Sequence, residues 1–217
     1  MPLSPRSLYG LLAAAVLCAL ASWPAQAHPH VWIAVETTVL HENGAFTGLQ
    51  HKWTFDEFYS SMEVEGLDKN NDGNFDRQEL SELAGFYVSG LKDFSYFTFP
   101  ALAGKKLKIG EPKDIWLEHK DGVLSLHFTV PFAQPVLSEA KGFAFSVYDP
   151  SFYIAMDIDK PDSIKFADGA PKACKLSIDA QAKDSANAAA LSEAFGAQFG
   201  GMAMSPAKAV SVSCKVS

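Results

Sequence analysis

Residues 68–79 read DKNNDGNFDRQE, and no other stretch constrains the chain as tightly. Asp68, Asn70, Asp72, Asp76 and Glu79 stand at positions 1, 3, 5, 9 and 12 of a calcium-loop pattern, with Gly73 at position 6 and Phe75 at the apolar position 8. The match to D-x-[DN]-x-[DN]-G-x5-E has no gap. Calcium takes about six to eight hard oxygens in a flexible cage. Side chains at alternate positions converge on one point, the Asn74 carbonyl adds an oxygen, and Glu79 offers both carboxylate oxygens. Only a residue without a Cβ takes the sharp turn at Gly73 cheaply. The stretch therefore predicts a Ca2+ site of EF-hand type between two helices. Glutamate at the last position favours calcium over magnesium, whose octahedral shell is smaller. Extracellular loops of this kind bind at about 10⁻⁴–10⁻³ M, so the expected role is structural.

Most of the remaining chain reads as strand. Residues 31–40 alternate and are β-branched, Asn43-Gly44 signals a hairpin turn, and 46–55 form the return strand. Residues 56–67 and 78–93 predict the entering and exiting helices, the second with Leu80, Leu83, Ala84, Tyr87 and Leu91 along one face. Short strands follow at 96–99, 105–109, 114–119, 123–130, 142–148, 153–157, 163–166, 175–179 and 210–216. An Ala-rich helix at 185–199 is stopped by Gly200-Gly201. The expected fold class is α+β, a mainly antiparallel β-sandwich-like scaffold with the EF-hand helix-loop-helix inserted at about 56–93 and a C-terminal helix.

The amino end predicts export. Arg6 supplies a positive charge, residues 8–20 an apolar core, and Ala25-Gln26-Ala27 a small-x-small cleavage site. Residues 1–27 read as a signal peptide and 28–217 as a single periplasmic domain. No later stretch reaches about 18 uncharged apolar residues. The formal charge of −7 argues against a nucleic-acid partner and suits cations. Cys18 falls inside the signal, leaving Cys174 and Cys214. In an oxidising compartment such a pair reads as one disulfide; two free thiols acting as metal ligands is the other reading.

Cleavage after Ala27 would give His28 a free α-amine beside its imidazole, with His30 two residues on. These groups bind Zn2+, Cu2+ or Ni2+. Pro29 lacks an amide proton and blocks a square-planar site built on backbone nitrogens, so an open or tetrahedral site with further ligands fits better. Pairing across Asn43-Gly44 sets residues whose numbers sum to about 87 opposite each other, 31–36 against 51–56. That brings His30 near Asp56 and Glu57, with His51 also available. The rival reading is a polar lead-in to a strand. Neutral imidazole is the binding form, so affinity falls below about pH 6. There is no G-x-S-x-G, no HExxH and no P-loop, and no enzymatic activity is expected.

His28-Pro29-His30-Val31-Trp32-Ile33, the segment from Trp53 to Ser60, the EF-hand-like loop, Tyr96-Phe97 and Ser146-Val147-Tyr148-Asp149-Pro150 occur in that order. The combination resembles a family of bacterial periplasmic proteins sometimes labelled the periplasmic component of an ABC-type transport system, which includes the ZevA-type zinc-uptake accessory proteins. The resemblance implies a non-enzymatic accessory to an inner-membrane permease of the nickel/cobalt-exporter-like type. Its cargo would be a divalent transition metal, zinc before nickel, cobalt or copper. The alternative is a calcium-dependent protein-interaction module of the cell envelope.

Overall fold

Asn43 and Gly44 both take left-handed backbone angles, φ 50° and 81°. Two such residues make the hairpin turn whose twist matches paired strands. In the computed structural model, which describes residues 30–151, 153–158, 160–179 and 208–214, this turn joins β1 (Val31–Glu42) to β2 (Ala45–Phe55). The expected leader, His28 and the predicted helix at 185–199 lie outside the described residues.

Beside the turn the paired numbers sum to 87, as in His41↔Phe46; beyond it they sum to 88, as in Ile33↔Phe55. Thr47 is left over. Phe46 and Leu49 are both buried at an odd spacing. A strand can aim both inward only by absorbing one residue in a bulge. The register expected across Asn43-Gly44 is thus corrected by one residue over 31–40. Gly48, next to the bulge, cannot carry a side chain, since a Cβ there would lie 2.6 Å from the Val130 carbonyl oxygen.

The chain next forms α1 (Glu57–Glu63) and α2 (Ser81–Leu91). The first helix stops four residues short of expectation because Gly66, at φ +76°, turns the chain out of it. The second starts at Ser81, after residues 77–80 have passed through turns. Residues Lys92–Phe97 continue as a 3-10 segment, in which Ser95, Tyr96 and Phe97 take left-handed angles. The strand expected at 96–99 therefore begins at Thr98.

The remaining strands are β3 (Thr98–Leu102), β4 (Lys105–Lys106), β5 (Lys113–Lys120), β6 (Val123–Leu137), β7 (Phe143–Val147), β8 (Ile154–Asp157), β9 (Ile164–Phe166), β10 (Cys174–Asp179) and β11 (Ala209–Cys214). One sheet has the order β5-β6-β2-β1-β8, with β9 also paired to β1; the other runs β10-β11-β7-β3-β4. Pairing is antiparallel except that β8 and β9 lie parallel to β1. Strand β6 runs past Pro131 to Leu137, further than the expected end at 130.

Inward residues of the two sheets meet in one apolar core. Phe46 stacks on Phe143 at 5.4 Å and Trp53 on Phe97 at 6.2 Å, joining the first sheet to the second sheet and to the turn that leads into it. The sandwich-like, mainly β expectation holds at that level. Cys174 and Cys214 are opposite each other in the β10–β11 pair and are disulfide-bonded. That excludes free thiols as metal ligands. Among the described residues no helix is long and apolar enough to cross a membrane.

Candidate metal centre

The loop between the helices is organised by its own carboxylates. Asp68 accepts from the amides of Asp72 at 3.2 Å and Gly73 at 3.0 Å. Asn70 accepts from Asp72 at 2.8 Å, and Asp72 from Asn74 at 2.7 Å. Asp76 accepts from Gln78 and Glu79, satisfying amides that open the following helical turn. Gly73 sits at φ +80°, the conformation its position demands. Glu79 spans the loop, with Oε1 accepting from Lys69 at 2.9 Å and Asn70 at 3.3 Å, and Oε2 from Asp76 at 3.1 Å. It is only 9% exposed.

The donor set suits a hard dication in kind: carboxylates, a side-chain amide and the Asn74 carbonyl, without nitrogen or sulfur. The carboxylates are nevertheless turned onto amides. Among the described residues no three His, Cys, Asp or Glu side chains stand together ready to hold a metal. Ligation through Glu79 would exchange some of its three N–H contacts for the ion.

The same loop grips the edge of the first sheet. Strand residues alternate between faces. Phe75 meets His119 edge-to-face at 4.8 Å, on the face of β5 that carries buried Leu117. The Arg77 guanidinium lies 3.6 Å over the Trp116 ring, on the other face. His127, the cross-strand partner of Trp116, stacks on that indole at 3.8 Å. Its Nε2 lies 3.5 Å from Glu118 Oε2. Burial, reinforced by Lys52 and Arg77 and opposed by Glu118, holds the His127 imidazole below its ordinary value. Loop positions 8 and 10 thus straddle strand β5. Sequence reasoning missed this clasp, although the alternation of Trp116, Glu118 and His127 with apolar neighbours marks them as one outer face.

The proposed transition-metal residues separate. His28 lies outside the described residues. His30 is exposed; its ring sits 4.7 Å from that of Tyr153, and its amide donates to the Tyr153 carbonyl. Asp56 caps α1, with Oδ1 accepting from Tyr59 and Oδ2 from the Trp32 amide, two residues from His30. Glu57 is exposed in the first turn of α1. His30, Asp56 and Glu57 therefore share one end of the first sheet.

His51 does not join them. It is 1% exposed, between the sheets. Nδ1 meets Thr37 Oγ1 at 3.0 Å and Nε2 meets Thr98 Oγ1 at 3.2 Å. Thr98 donates its single hydroxyl proton to the Tyr96 carbonyl at 2.8 Å. It can therefore only accept from His51, so Nε2 carries the proton and Nδ1 accepts from Thr37. Both ring nitrogens are occupied. Burial pushes the imidazole down to about 3, keeping it neutral. The hydroxyl chain ends at the left-handed turn, whose Tyr96 phenol donates to Glu111 at 2.8 Å. Lys92 pairs with the same carboxylate at 3.0 Å.

Comparison with known proteins adds the family. Residues 13–214 match the profile described as protein of unknown function (DUF1007), and the chain belongs to that family. An uncharacterized protein of Haemophilus influenzae is 29% identical over 141 residues, 65% of this chain and 68% of the relative. An uncharacterized 15.5 kDa protein in the trpE 3′ region of Spirochaeta aurantia is 34% identical over 104 residues, 47% of this chain and 74% of the relative.

Proposed function

We propose that this family member is a non-enzymatic periplasmic accessory protein. It is exported by a leader over residues 1–27 that is then cleaved. It keeps Ca2+ in an EF-hand loop at 68–79, braced by α1 and α2. It assists a nickel/cobalt-exporter-like inner-membrane permease in moving a divalent transition metal, zinc first. The ZevA-type likeness of its ordered motifs supports the permease. The shared position of His30 and Asp56 supports a transfer site at the amino end, completed by His28 and Glu57.

Glu79 is the observation that carries the calcium reading. A nearly buried carboxylate closes the loop on Lys69, Asn70 and Asp76 while Asp68 closes it on Asp72 and Gly73. Both carboxylates are thus held within the one loop, where a hard dication would draw on them as oxygen ligands.

Calorimetric titration tests the two metals separately. Calcium binds the mature protein, and Glu79→Gln weakens it at least tenfold. Zinc binds with calcium in excess, and His28→Ala with His30→Ala abolishes that binding. Unchanged calcium affinity in Glu79→Gln sinks the loop reading; unchanged zinc affinity in the double variant sinks the amino-end site.

A further inference from the structure

Helix α1 turns Tyr59 and Ser60 inward and leaves its other two apolar side chains outside. Ser60 is fully buried, its hydroxyl oxygen accepting from the Leu124 amide at 2.9 Å, while Phe58 is 74% and Met62 53% exposed. Phe58 and Met62 are four apart, so they cover one outward face. A helix packed for its own sake buries the phenylalanine and exposes the serine. On α2, Phe86 is 71% exposed. It adjoins Tyr87, whose ring stacks on Tyr59 at 6.4 Å where the two helices meet. Phe58 and Phe86 are thus the chain neighbours of the two rings that join the helices. Scattered single apolar residues need no explanation, but three on one small helical pair do.

Charge identifies the occupant. From Asp56 to Leu91 the chain carries nine carboxylates against Lys69 and Arg77, a net of −7, which equals the formal charge of all 217 residues. Without the expected leader and its Arg6, the rest of the molecule sums to only −1. A bound Ca2+ would leave this excursion still at −5 by formal charge. We propose that the outward face of α1 and α2 docks a cationic amphipathic segment of a protein partner. Phe58, Met62 and Phe86 take its apolar side and the surrounding carboxylates its lysines or arginines. A second copy of this chain would set −7 against −7, and an anionic lipid surface would be repelled in the same way. Glu63, Glu65 and Glu82 belong to neither the calcium nor the zinc reading, so the outward face stays acidic whichever of those holds.

The test uses mature protein with calcium in excess and a labelled eighteen-residue helical peptide of alternating leucine and lysine faces, read by fluorescence anisotropy. A leucine–glutamate peptide is the control. The lysine peptide binds and the glutamate peptide does not; binding weakens when salt is raised from about 0.05 M to 0.5 M, as screening requires. Phe58→Ser with Phe86→Ser weakens binding at least tenfold. Leu137→Ser, 60% exposed in the wild type but on β6, leaves it unchanged. All three side chains are exposed, so circular dichroism and thermal midpoint stay near wild type. Retained affinity in the double variant overturns the proposal, as does an equal loss in Leu137→Ser. A dimer in sedimentation velocity, or capture by phosphatidylcholine vesicles, that the double variant abolishes overturns it by giving the face to another occupant.

Discussion

His51 ties the fold to proton concentration. Its folded pKa is depressed to about 3 from an ordinary 6.5 by burial. The unfolded chain takes up a proton as pH falls through about 6.5, and the native chain does not until near 3. The stability from this neutral, doubly bonded imidazole is full above the unfolded value. It declines by up to about 1.4 kcal/mol per pH unit as acid is added. Urea midpoints from pH 7.5 to 4.5 should show that loss. His51→Gln keeps hydrogen-bonding atoms without a titrating group, so it should flatten the slope while lowering stability at pH 7.5. An equal slope in the variant would place the acid sensitivity elsewhere. The position was legible as a histidine in a strand. Its neighbours were not, because they depend on one bulged residue, Thr47, in β2 and on a turn from a distant part of the chain.

At the scale of elements, the loop is tied to β5 on both faces by Phe75 and Arg77. An edge strand is the least protected part of a sheet, since half of its backbone groups lack a ladder partner. The clasp makes the order of β5 depend on the order of the loop. With calcium bound, chelation should accelerate amide exchange across α1, α2 and β5 together and leave the central β1–β2 pair unchanged. Arg77→Ala removes the cation–π contact, worth about 0.5–2 kcal/mol, and should speed β5 exchange even with calcium present. Uniform exchange across both sheets after chelation would show that the loop and β5 are not linked.

For the whole molecule, one edge of the second sheet is closed by the bond between β10 and β11. Cys174 and Cys214 are separated by 40 residues along the chain. Opening a loop of that size costs about 4 kcal/mol in the chain-entropy picture. Cys174→Ala with Cys214→Ala should lower the unfolding free energy in urea by about 2–4 kcal/mol while leaving the calcium titration unchanged. The bond lies on β10 and β11, at the edge of the sheet opposite β3 and β4. A parallel loss of calcium affinity would mean that the two regions are not independent.

What could be read from the amino acids alone was local. The twelve positions of the loop, the Asn43-Gly44 turn, the alternation of β1 and the single cysteine pair depend on spacing and backbone preference, which a chain carries with it. Only the tertiary structure decided the rest. Bringing Phe46 and Leu49 to one face forced a bulge and moved the register by a residue. Packing two sheets enclosed His51 between the Thr37 hydroxyl of the neighbouring strand and the Thr98 hydroxyl of the other sheet. Seating Ser60 on the Leu124 amide turned Phe58 outward. The last two join residues far apart in the chain, and the energies of all three arise only once surfaces are removed from water together.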